Sequence, residues 1–526
     1  MQDNTWSLRT FEAREYPGLS PLVLGHLDNL DSSKSEMKTD NNYAKWESNI
    51  KPTLCEVIIE EYQELGLPIP FGLKKLQAEG SRTITTGHQL QIAGGPAFLH
   101  YKTITTIRQA RENGAVPVFW LASEDHDFKE VSWVNGEAEK FVWSSPLDKD
   151  RLPVGRLSLE GVREVLEAWM KDVKGEEMMS ALSISIENNE SYAQLFRRWM
   201  HLWYGDTDLI VLDADNPKLK VIATSLFAEE FTESGVSKAV LKRSEELVDS
   251  GYNAAAHVRD VNLFYMPRGE GRIGIVKEVG GEFKAGERVL NEGGEDWEVW
   301  CERNAENLSP GVLLRPLYQE LLLPNLKVVL GPGELSYWKQ LSIAFSEKGL
   351  KMPTLHLRDH VLVMDSHLQS VANEVGWSLK SGWWNEDEWV NSWVDSNLPS
   401  PPNDFDKIST TLEELKYQMT SSASSIDPTL KSAALASSAG MEKVWSGLRK
   451  KIRKAIKRLN QDEINKISKA ASRVSSNRVP QDRYANFHVL SKSLGGFKVL
   501  RNLLLNSKTS QIKQGVSVMH IVEENS

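Results

Sequence analysis

The sequence predicts an α/β protein, in which a parallel sheet is covered by helices on both faces and is followed by a helical arm. From about residue 83 to 366, short β-rich runs alternate with longer helical stretches, which is typical of a parallel sheet with crossover helices. After about Ser396, apolar residues recur at heptad spacing. The length of 526 residues exceeds what one hydrophobic core usually fills, so we expect more than one structural unit.

Four β-rich runs are candidate buried strands: Thr83–Thr86, Val116–Leu121, Asp208–Leu212 and Leu326–Leu330. Each is followed by residues suited to a site, namely Gly87-His88-Gln89, Glu124-Asp125-His126-Asp127, Asp213-Ala214-Asp215 and Gly331-Pro332-Gly333-Glu334. Ligands bind beyond the carboxyl ends of the strands in doubly wound sheets. These segments are therefore expected to converge on one cleft.

The pattern divides the chain into a core over residues 1–395, a coiled-coil arm over 396–475 and a segment over 476–526 that returns to the core. Two insertions are expected in the core, near 137–205 and 240–300, with small β elements and a turn around residues 268–272. Pro399–Pro402 mark the start of the arm. Its heptad seam begins with Ile408, Leu412 and Leu415, and a second helix continues to about Ser475. Such an antiparallel hairpin either supports a dimer or packs on its own core.

Composition and charge argue against several classes of protein. A net charge of -10 and a pI near 5.7 argue against general nucleic-acid binding, which depends on neutralising phosphates. Cys55 and Cys301 show no CxxC spacing, so we expect neither a disulfide framework nor a thiolate metal site. The apolar runs are shorter than the ~20 residues of a membrane span, and the first residues lack the pattern of a secretory signal. We therefore expect a cytoplasmic protein without membrane contacts.

The first candidate site element runs from the end of one strand into the next helix. Glycines let a backbone approach phosphate oxygens closely, and free N–H groups at a helix start attract anions. The sequence therefore indicates a nucleotide or carboxylate site formed by Gly87, His88, Gln89, Gly95, Pro96, His100 and Lys102. The alternative is a tight turn between strand and helix, with a packed histidine and a surface lysine.

The second element places carboxylates and an imidazole directly after a strand, at Glu124, Asp125, His126 and Asp127. Such a cluster is suited to binding Mg²⁺ near phosphates, orienting an amine or acting as a general base. Adjacent residues in an extended segment point in opposite directions, so the four cannot chelate one ion and we expect no protein-held metal. A solvated acidic loop is the alternative.

The third element is Gly331-Pro332-Gly333-Glu334, where glycine permits an adenosine to lie against the backbone and Glu334 can accept hydrogen bonds from ribose or an amine. Upstream, Arg315 is suited to binding a carboxylate or phosphate through two hydrogen bonds. The alternative is a salt bridge that stabilises the start of a helix. The expected substrate-binding residues are Glu124, Arg315, Gln319, Glu320, Tyr337 and Trp338.

The run from Arg449 to Arg458 holds seven Lys or Arg in ten positions. This composition is typical of a solvated helix face whose apolar residues turn inward. Phosphate binding across the arm is the alternative.

Several of these pieces together resemble one known family. They are Thr86-Gly87-His88-Gln89, Gly94-Gly95-Pro96, Pro117–Phe128 (PVFWLASEDHDF), Asn262-Leu263-Phe264-Tyr265, Arg315-Pro316 with Gln319-Glu320, Pro324, Gly331–Glu334 with Tyr337-Trp338, and Lys351-Met352-Pro353. Their order and spacing from about residue 80 to 365 resemble the bacillithiol-biosynthesis family BshC. The chain departs from the usual family pattern at His88, where a glutamine is usual, and at Gly94-Gly95-Pro96-Ala97-Phe98, where Thr-Gly-Pro-Leu-Tyr is usual.

The resemblance implies a Rossmann-like core with two connecting-peptide insertions and a coiled-coil arm that supports a homodimer. It also implies the last step of bacillithiol synthesis, in which the carboxyl group of cysteine forms an amide with the amine of glucosaminyl-malate.

Amide formation in water needs an activated carboxylate, which ATP supplies as an adenylate or an acyl phosphate, with Mg²⁺ carried by the nucleotide. We expect the phosphates over the Gly95 loop with His88, His100 and Lys102, and the adenosine near Gly333 and Glu334. Asp125 or Asp127 would hold or deprotonate the amine, and His126 and His88 complete the expected catalytic set. The rival hypotheses are a metal-dependent hydrolase built on residues 124–127 and a dimeric scaffold that binds nucleic acid through residues 449–458.

Overall fold

The structure is a computed structural model that describes residues 5–28, 45–137, 139–145, 151–173, 175–232, 235–397, 403–507 and 517–524. The chain forms two compact units. The larger unit contains Trp6–Val363 and Asp482–Ile521, and the smaller unit is built on Met364–Gln481. The proline-rich segment Pro399–Pro402, predicted to mark the start of the arm, lies outside the described residues.

The strands, numbered along the chain, are β1 (Thr5–Glu12), β2 (Thr83–His88), β3 (Val116–Leu121), β4 (Trp133–Asn135), β5 (Lys140–Val142), β6 (Ile210–Asp213), β7 (Leu263–Tyr265), β8 (Ile273–Lys277), β9 (Phe283–Ala285), β10 (Arg288–Val289), β11 (Leu308–Pro310), β12 (Asn325–Leu330), β13 (Thr354–Leu357), β14 (His360–Met364), β15 (Ser475–Ser476), β16 (Val479–Pro480) and β17 (Ser517–Glu524).

The α-helices, numbered in the same way, are α1 (Pro21–Asp28), α2 (Lys51–Glu64), α3 (Phe71–Gln77), α4 (Phe98–Glu112), α5 (Phe128–Val131), α6 (Val162–Trp169), α7 (Glu176–Glu187), α8 (Tyr192–Tyr204), α9 (Pro217–Ile222), α10 (Thr224–Ala228), α11 (Ser237–Asp249), α12 (Trp297–Arg303), α13 (Arg315–Leu322), α14 (Pro332–Trp338), α15 (Ser342–Glu347), α16 (Ser366–Glu374), α17 (Glu386–Ser396), α18 (Asn403–Ile426), α19 (Lys431–Leu459), α20 (Gln461–Val474), α21 (Phe487–Ser491) and α22 (Phe497–Leu505).

The core of the larger unit is a parallel sheet. Among the described residues its strand order is β13-β12-β2-β3-β6, and every neighbouring pair is parallel. The chain moves outward from β2 through β3 to β6 and then returns to β12 on the other side of β2. The strand order therefore reverses between β2 and β12, and such a switch point is where open α/β sheets bind ligands.

The predicted fold class is confirmed. All four predicted strands are present, although the third begins at Ile210 rather than Asp208. β3 is buried along its whole length, as a strand covered on both faces must be. The fifth strand of the sheet, β13, was not predicted, because it has only four residues and one of them is the polar His356.

The two regions predicted as insertions contain small elements. Residues 137–205 include β5, which pairs with β4, and the helices α6 to α8. Residues 240–300 include most of α11 and strands of a second sheet, whose order is β10-β9-β8-β7-β11. The predicted turn around residues 268–272 joins β7 to β8, which pair antiparallel with Phe264 opposite Gly274.

The smaller unit is mainly helical. α18 and α19 form an antiparallel hairpin, since the Lys416 ammonium donates to Glu442 and the Trp445 indole donates to Ser409, at 3.1 and 3.2 Å. The unit begins at Met364, earlier than the expected boundary near 396. The difference arises because α16 and α17 pack against α20.

The predicted heptad seam is only partly covered within this chain. Ile408 is 41 % exposed and Val444 is 74 % exposed. In the basic run on α19, Arg453 donates to Asn391 and forms an ion pair with Asp395, while Ile456 is buried and Lys450, Lys451 and Lys454 are exposed. This arrangement fits the solvated-face interpretation. In the part of the chain that the structure describes, we find no helix with the length and apolar character of a membrane span.

Candidate active site

A cavity of about 700 Å³ lies in the larger unit beyond the carboxyl ends of β2, β3 and β12. It is where the switch point of the sheet predicts a ligand site. The predicted site residues that line it are Gly87, His88, Gln89, Lys102, Glu124, Asp125, Arg315, Gly331, Gly333, Glu334 and Tyr337. Residues from three separate strand ends therefore meet in one place.

Lys102 joins the first predicted element to the third. Its ammonium group on α4 is buried and donates to the carbonyl of Gly87 at 2.6 Å and to Glu334 at 2.7 Å. Glu334 also accepts from the backbone N–H of Gly331 at 2.8 Å, which caps α14. Burial lowers the pKa of Lys102, whereas the pKa of Glu334, which burial alone would raise, is lowered by Lys102. A buried ion pair thus holds the end of β2 against the start of α14.

Gln89 organises the acidic side of the cavity. Its side-chain amide donates to Asp125 at 2.8 Å and to Glu130 at 2.7 Å. Burial, with a contribution from Asp125, raises the pKa of Glu130. Two carboxylates that share one amide donor form a negative site, which favours a protonated amine or a proton. Glu130 was not among the predicted residues.

Glu124 faces the cavity but also forms a buried ion pair behind it. The Lys220 ammonium lies 3.0 Å from Glu124 and also donates to Asp215, which Arg156 holds with two hydrogen bonds of 2.7 and 2.8 Å. Burial raises the pKa of Glu124, and Lys220 opposes this shift. Asp215 follows β6, so this network ties the third predicted strand end to the second.

His126 and Asp127 follow the acidic residues but do not line the cavity. The ring of His126 lies between two guanidinium groups, with Nε2 2.5 Å from Arg151 and Nδ1 3.5 Å from Arg272. Burial and these two cations lower its pKa. Asp127 is exposed and caps α5 by accepting from the N–H of Glu130 at 3.3 Å. The geometry therefore does not place either residue at the cavity.

The glycine turn that was expected to bind phosphates is filled by another part of the chain. The side-chain amide of Asn486 donates to the carbonyls of Ala93 and Gly95, at 3.0 and 2.8 Å. Pro96 is buried and forms a β-bridge with Asn486. Neither Gly95 nor Pro96 lines the cavity, so their placement does not support the predicted phosphate contact.

His100 packs behind this turn instead of facing a ligand. It is fully buried, with Nδ1 2.9 Å from the Tyr204 hydroxyl and its ring surrounded by Trp203, Phe487 and Phe497. Burial lowers its pKa well below the ordinary value. The packed-histidine alternative describes this residue. Lys102, on the same helix, is buried at the cavity and is not the surface lysine of that alternative.

His88 lines the cavity as a neutral imidazole. Burial, with the nearby Lys102 ammonium, lowers its pKa to about 4. Its Nδ1 lies 3.0 Å from the carbonyl of Gln89, which assigns the proton to Nδ1 and leaves Nε2 as an acceptor. His88 can therefore accept a hydrogen bond near neutral pH, but it does not supply positive charge.

Some of the residues around Arg315 line the cavity, and others pack behind its wall. Arg315 donates to the side-chain oxygen of Gln319 at 3.0 Å and to the Tyr337 hydroxyl at 3.3 Å, both of which are neutral. Gln319 in turn donates to Glu320, and burial raises the pKa of Glu320 to about 8. Trp338 is fully buried against Phe345. Gln319, Glu320 and Trp338 therefore support the wall but do not line the cavity.

Sequence reasoning missed part of the cavity wall. The second insertion supplies Arg259, Asn262, Phe264 and Arg272, in a region of short strands without a long apolar pattern. Arg358 and Arg483 also line the cavity, and Arg358 is held by a 2.8 Å ion pair with Asp482. Arg358 directly follows β13, so the strand-end rule finds this residue once β13 is known.

A smaller depression of about 430 Å³ lies on α2, around Lys51 and Cys55, away from the strand ends. The Lys51 ammonium already donates to the carbonyl of Ala78 at 2.7 Å and to Glu47 at 3.2 Å. Burial raises the pKa of the Cys55 thiol, which makes it a poor nucleophile. This depression shows no arrangement suited to catalysis.

The hydrolase alternative needs ligands that converge on a metal ion. Within the described ranges, no group of three or more His, Cys, Asp or Glu side chains is arranged to hold one. The four residues at 124–127 diverge instead: Glu124 pairs with Lys220, Asp125 with Gln89, His126 with arginines, and Asp127 caps a helix. The structure does not support that alternative.

Comparison with known proteins gives one consistent result. The model for the N-terminal Rossmann-like domain of bacillithiol biosynthesis BshC matches residues 25–359, and the model for the C-terminal coiled-coil domain of BshC matches residues 361–516. A protein of Christiangramia forsetii named "Putative cysteine ligase BshC" is 28% identical over 456 residues, which cover 84% of each chain. A protein of Flavobacterium johnsoniae with the same name is 27% identical over 503 residues, which cover 89% of this chain and 92% of the relative.

Proposed function

Because the chain belongs to the bacillithiol-biosynthesis BshC family, a family of cysteine ligases, we propose that it joins L-cysteine to glucosaminyl-malate in an ATP-dependent reaction that forms bacillithiol. One observation carries this proposal. A single cavity holds a pair of carboxylates bridged by Gln89, suited to an amine, together with the Arg315 guanidinium, whose hydrogen-bond partners are neutral and which is suited to an anion. A ligase that joins an amine to an activated carboxylate needs both.

The amine belongs beside Asp125. In the reaction the amine nitrogen attacks the activated carbonyl carbon of cysteine and loses a proton, which a nearby carboxylate accepts. Gln89 fixes one oxygen of Asp125, and the backbone N–H of His126 donates to the other at 2.7 Å. Asp125 is thus held in position with its charge facing the cavity, while Asp127 points away from it.

We place the anion beside Arg315. Arg315 has only neutral hydrogen-bond partners among the described residues, so its charge is available to a phosphate or carboxylate. Lys102, His88 and the backbone around Gly331 and Gly333 border the same space. Arg315 and the glycine backbone at 331–333 fit a nucleotide triphosphate with its own Mg²⁺, whereas the Gly95 turn does not, because Asn486 occupies it.

ATP would supply the activation, since it converts the cysteine carboxylate to an acyl phosphate or adenylate whose oxygen leaves with the phosphorus. The residues of the chain then have a limited task. They hold the two substrates together, keep the amine near Asp125 and stabilise the charge that develops on the phosphates and carbonyl oxygen. Because the reaction consumes ATP, the cytoplasm is the expected compartment.

The test is an incubation of the full chain with ATP, L-cysteine and glucosaminyl-malate, followed by mass spectrometry for bacillithiol. We expect product that depends on all three substrates, with AMP released for adenylate activation or ADP for acyl-phosphate activation. Omission of each substrate in turn is the control. Absence of bacillithiol in the complete mixture, with a folded protein and with Mg²⁺ present, contradicts the proposal.

We further propose that α18 and α19 carry a homodimer interface. The exposed apolar side chains on this hairpin include Tyr417, Ile426, Leu435, Val444 and Leu448. Several large apolar side chains exposed on one helical hairpin are typical of a protein interface. Sedimentation should give a dimer mass for the wild type and a monomer mass for the double variant Val444→Glu, Leu448→Glu. A monomeric wild type would contradict this part of the proposal.

A further inference from the structure

Two arginines face the same aromatic ring on the cavity wall that the second insertion supplies. The guanidinium carbon of Arg272 lies 3.9 Å from the centre of the Phe264 ring, and that of Arg259 lies 5.1 Å from it. All three residues line the cavity. Phe264 therefore carries two guanidinium groups beside the space where a substrate would bind.

Neither guanidinium group donates a hydrogen bond to a carboxylate among the described residues. Arg272 donates to the hydroxyl of Ser309 at 3.0 Å and to the carbonyl of Pro310 at 2.9 Å, which are neutral groups. The carboxylate oxygen of Asp125 is 3.9 Å away, beyond hydrogen-bond distance. Arg259 forms no ion pair with any residue that the structure describes. Burial lowers the pKa of Arg272; Glu124 and Asp125 oppose this shift, and Arg259 adds to it. A bound dianion would relieve the repulsion between Arg259 and Arg272.

The position of Arg259 and Arg272 limits which dianion can bind them. Asp125, the residue proposed to hold the amine, lies directly beside Arg272. A ligand that fills both places must carry an amine and two negative charges a few ångströms apart. Glucosaminyl-malate has this arrangement, because its amine is on the sugar carbon next to the one that bears malate, and malate has two carboxylates.

We propose that Arg259 and Arg272 bind the two carboxylates of the malyl group and thereby place the neighbouring amine at Asp125. This proposal rests on the ligase function proposed above. The second source of the same chemistry is the phosphate chain of ATP. The arrangement favours malate on this wall, because Arg315, which donates to Tyr337 of α14, offers a separate cationic site for phosphate.

The first experiment compares steady-state kinetics of wild type and Arg259→Gln. Arg259 is exposed and bonded to no described side chain, so its loss should leave the fold intact. We expect KM for glucosaminyl-malate to rise about tenfold or more, because a charged hydrogen bond to a carboxylate is lost. KM for ATP, KM for cysteine and kcat should stay within about twofold of the wild-type values, because Arg259 contacts only glucosaminyl-malate in this proposal.

Arg288 offers a matched control on the same small sheet. It too lies over an aromatic ring, Tyr265, at 5.4 Å, but it pairs with Glu270 and does not line the cavity. Arg288→Gln should leave all three KM values unchanged. Arg272→Lys, which keeps one charge but loses the planar fork, should raise KM for glucosaminyl-malate alone.

A second amine substrate tests whether the arginine pair binds the carboxylates of malate or the phosphates of ATP. Methyl glucosaminide has the same amine without carboxylates, so wild type and Arg259→Gln should use it equally poorly. If Arg259→Gln instead raises KM for ATP, or leaves KM for glucosaminyl-malate unchanged, the assignment of the arginine pair is overturned while the ligase function stands. If wild-type protein makes no bacillithiol at all, the ligase function fails and this proposal fails with it.

Discussion

Two glycine-containing segments a few residues apart in the chain have different surroundings. Gly87 lies at the end of β2 and lines the cavity, where its carbonyl accepts from Lys102. Gly94 and Gly95 form a buried turn, and the carbonyl of Gly95 accepts from Asn486. Both segments lie between the body of β2 and the start of α4, yet only the first faces a space large enough for a ligand.

The difference shows what a glycine reveals and what it leaves open. Glycine indicates that something approaches the backbone closely or that the backbone adopts a positive φ. At Gly94 both reasons apply: φ is +75°, and a Cβ atom would lie 2.3 Å from the His100 ring nitrogen. The approaching group is a side chain of the protein itself. A glycine pattern therefore predicts close approach, while the nature of the neighbour depends on distant parts of the chain.

The largest expected effect contrasts a carboxylate that lines the cavity with one that does not. Asp125→Asn should lower kcat by about 10² to 10⁴, because a neutral amide cannot accept the proton of the amine. Asp127→Asn should retain activity, since Asn caps α5 as well as Asp does. Both rates are measured as bacillithiol formed per minute, with circular dichroism to show that each variant is folded. Equal losses in the two variants would show that proximity to the cavity does not distinguish them.

The next effect concerns stability and contrasts two glycines. Gly94→Ala should lower the free energy of unfolding by about 2 to 4 kcal/mol, because it combines a left-handed φ with a clash against the buried His100 and Trp203. At Gly333 a Cβ atom would meet nothing within 4 Å, so Gly333→Ala should change stability by less than about 0.5 kcal/mol.

Urea denaturation gives both values. Gly333→Ala should instead raise KM for ATP if the nucleotide lies against that backbone. A stable Gly94→Ala protein with impaired ATP binding would reverse the assignment and restore the buried turn as a ligand site.

A smaller loss of stability is expected when the Asn486 side chain, which bonds to the buried glycine turn, is removed. Asn486→Ala deletes the donor to the carbonyls of Ala93 and Gly95 in a buried place, which should cost about 1 to 3 kcal/mol of unfolding free energy. Asn465→Ala, at an exposed position on α20, is the matched control and should cost less than about 0.5 kcal/mol. If Asn486→Ala is as stable as the control, the turn does not depend on the C-terminal segment.

The same contrast explains which parts of the molecule were predictable. Val116–Leu121 is recognisable as a buried strand because every residue in it is apolar or proline, and the residues after it fall at the cavity because parallel strands end at one edge. The environment of Gly95 was not predictable, because its partner Asn486 is about 390 residues away in the chain. Arg259 and Arg272 were not predictable either, since short strands such as β7 carry too few residues to show a pattern and no motif marks a guanidinium stacked on Phe264.

The smallest expected effect concerns the supporting layer behind Arg315. Glu320 keeps its proton in the folded state up to about pH 8, above its ordinary pKa of 4.5, because of burial. The folded state therefore binds more protons than the unfolded state between these pH values, and the contribution of this group to stability falls as pH rises from about 4.5 to 8.

Glu320→Gln keeps the acceptor oxygen for Asn325 and Gln319 but carries no charge. It should be more stable than wild type at pH 8 by about 1 kcal/mol, an amount reduced by the partial exposure of the side chain, and equal to wild type near pH 5. Thermal unfolding from pH 5 to 8 measures this, with Glu187→Gln on the exposed face of α7 as the control. If the Tm profiles of wild type and both variants are parallel, burial does not raise the pKa of Glu320. Its carboxylate would then be in contact with water and would not be part of the buried layer behind the cavity wall.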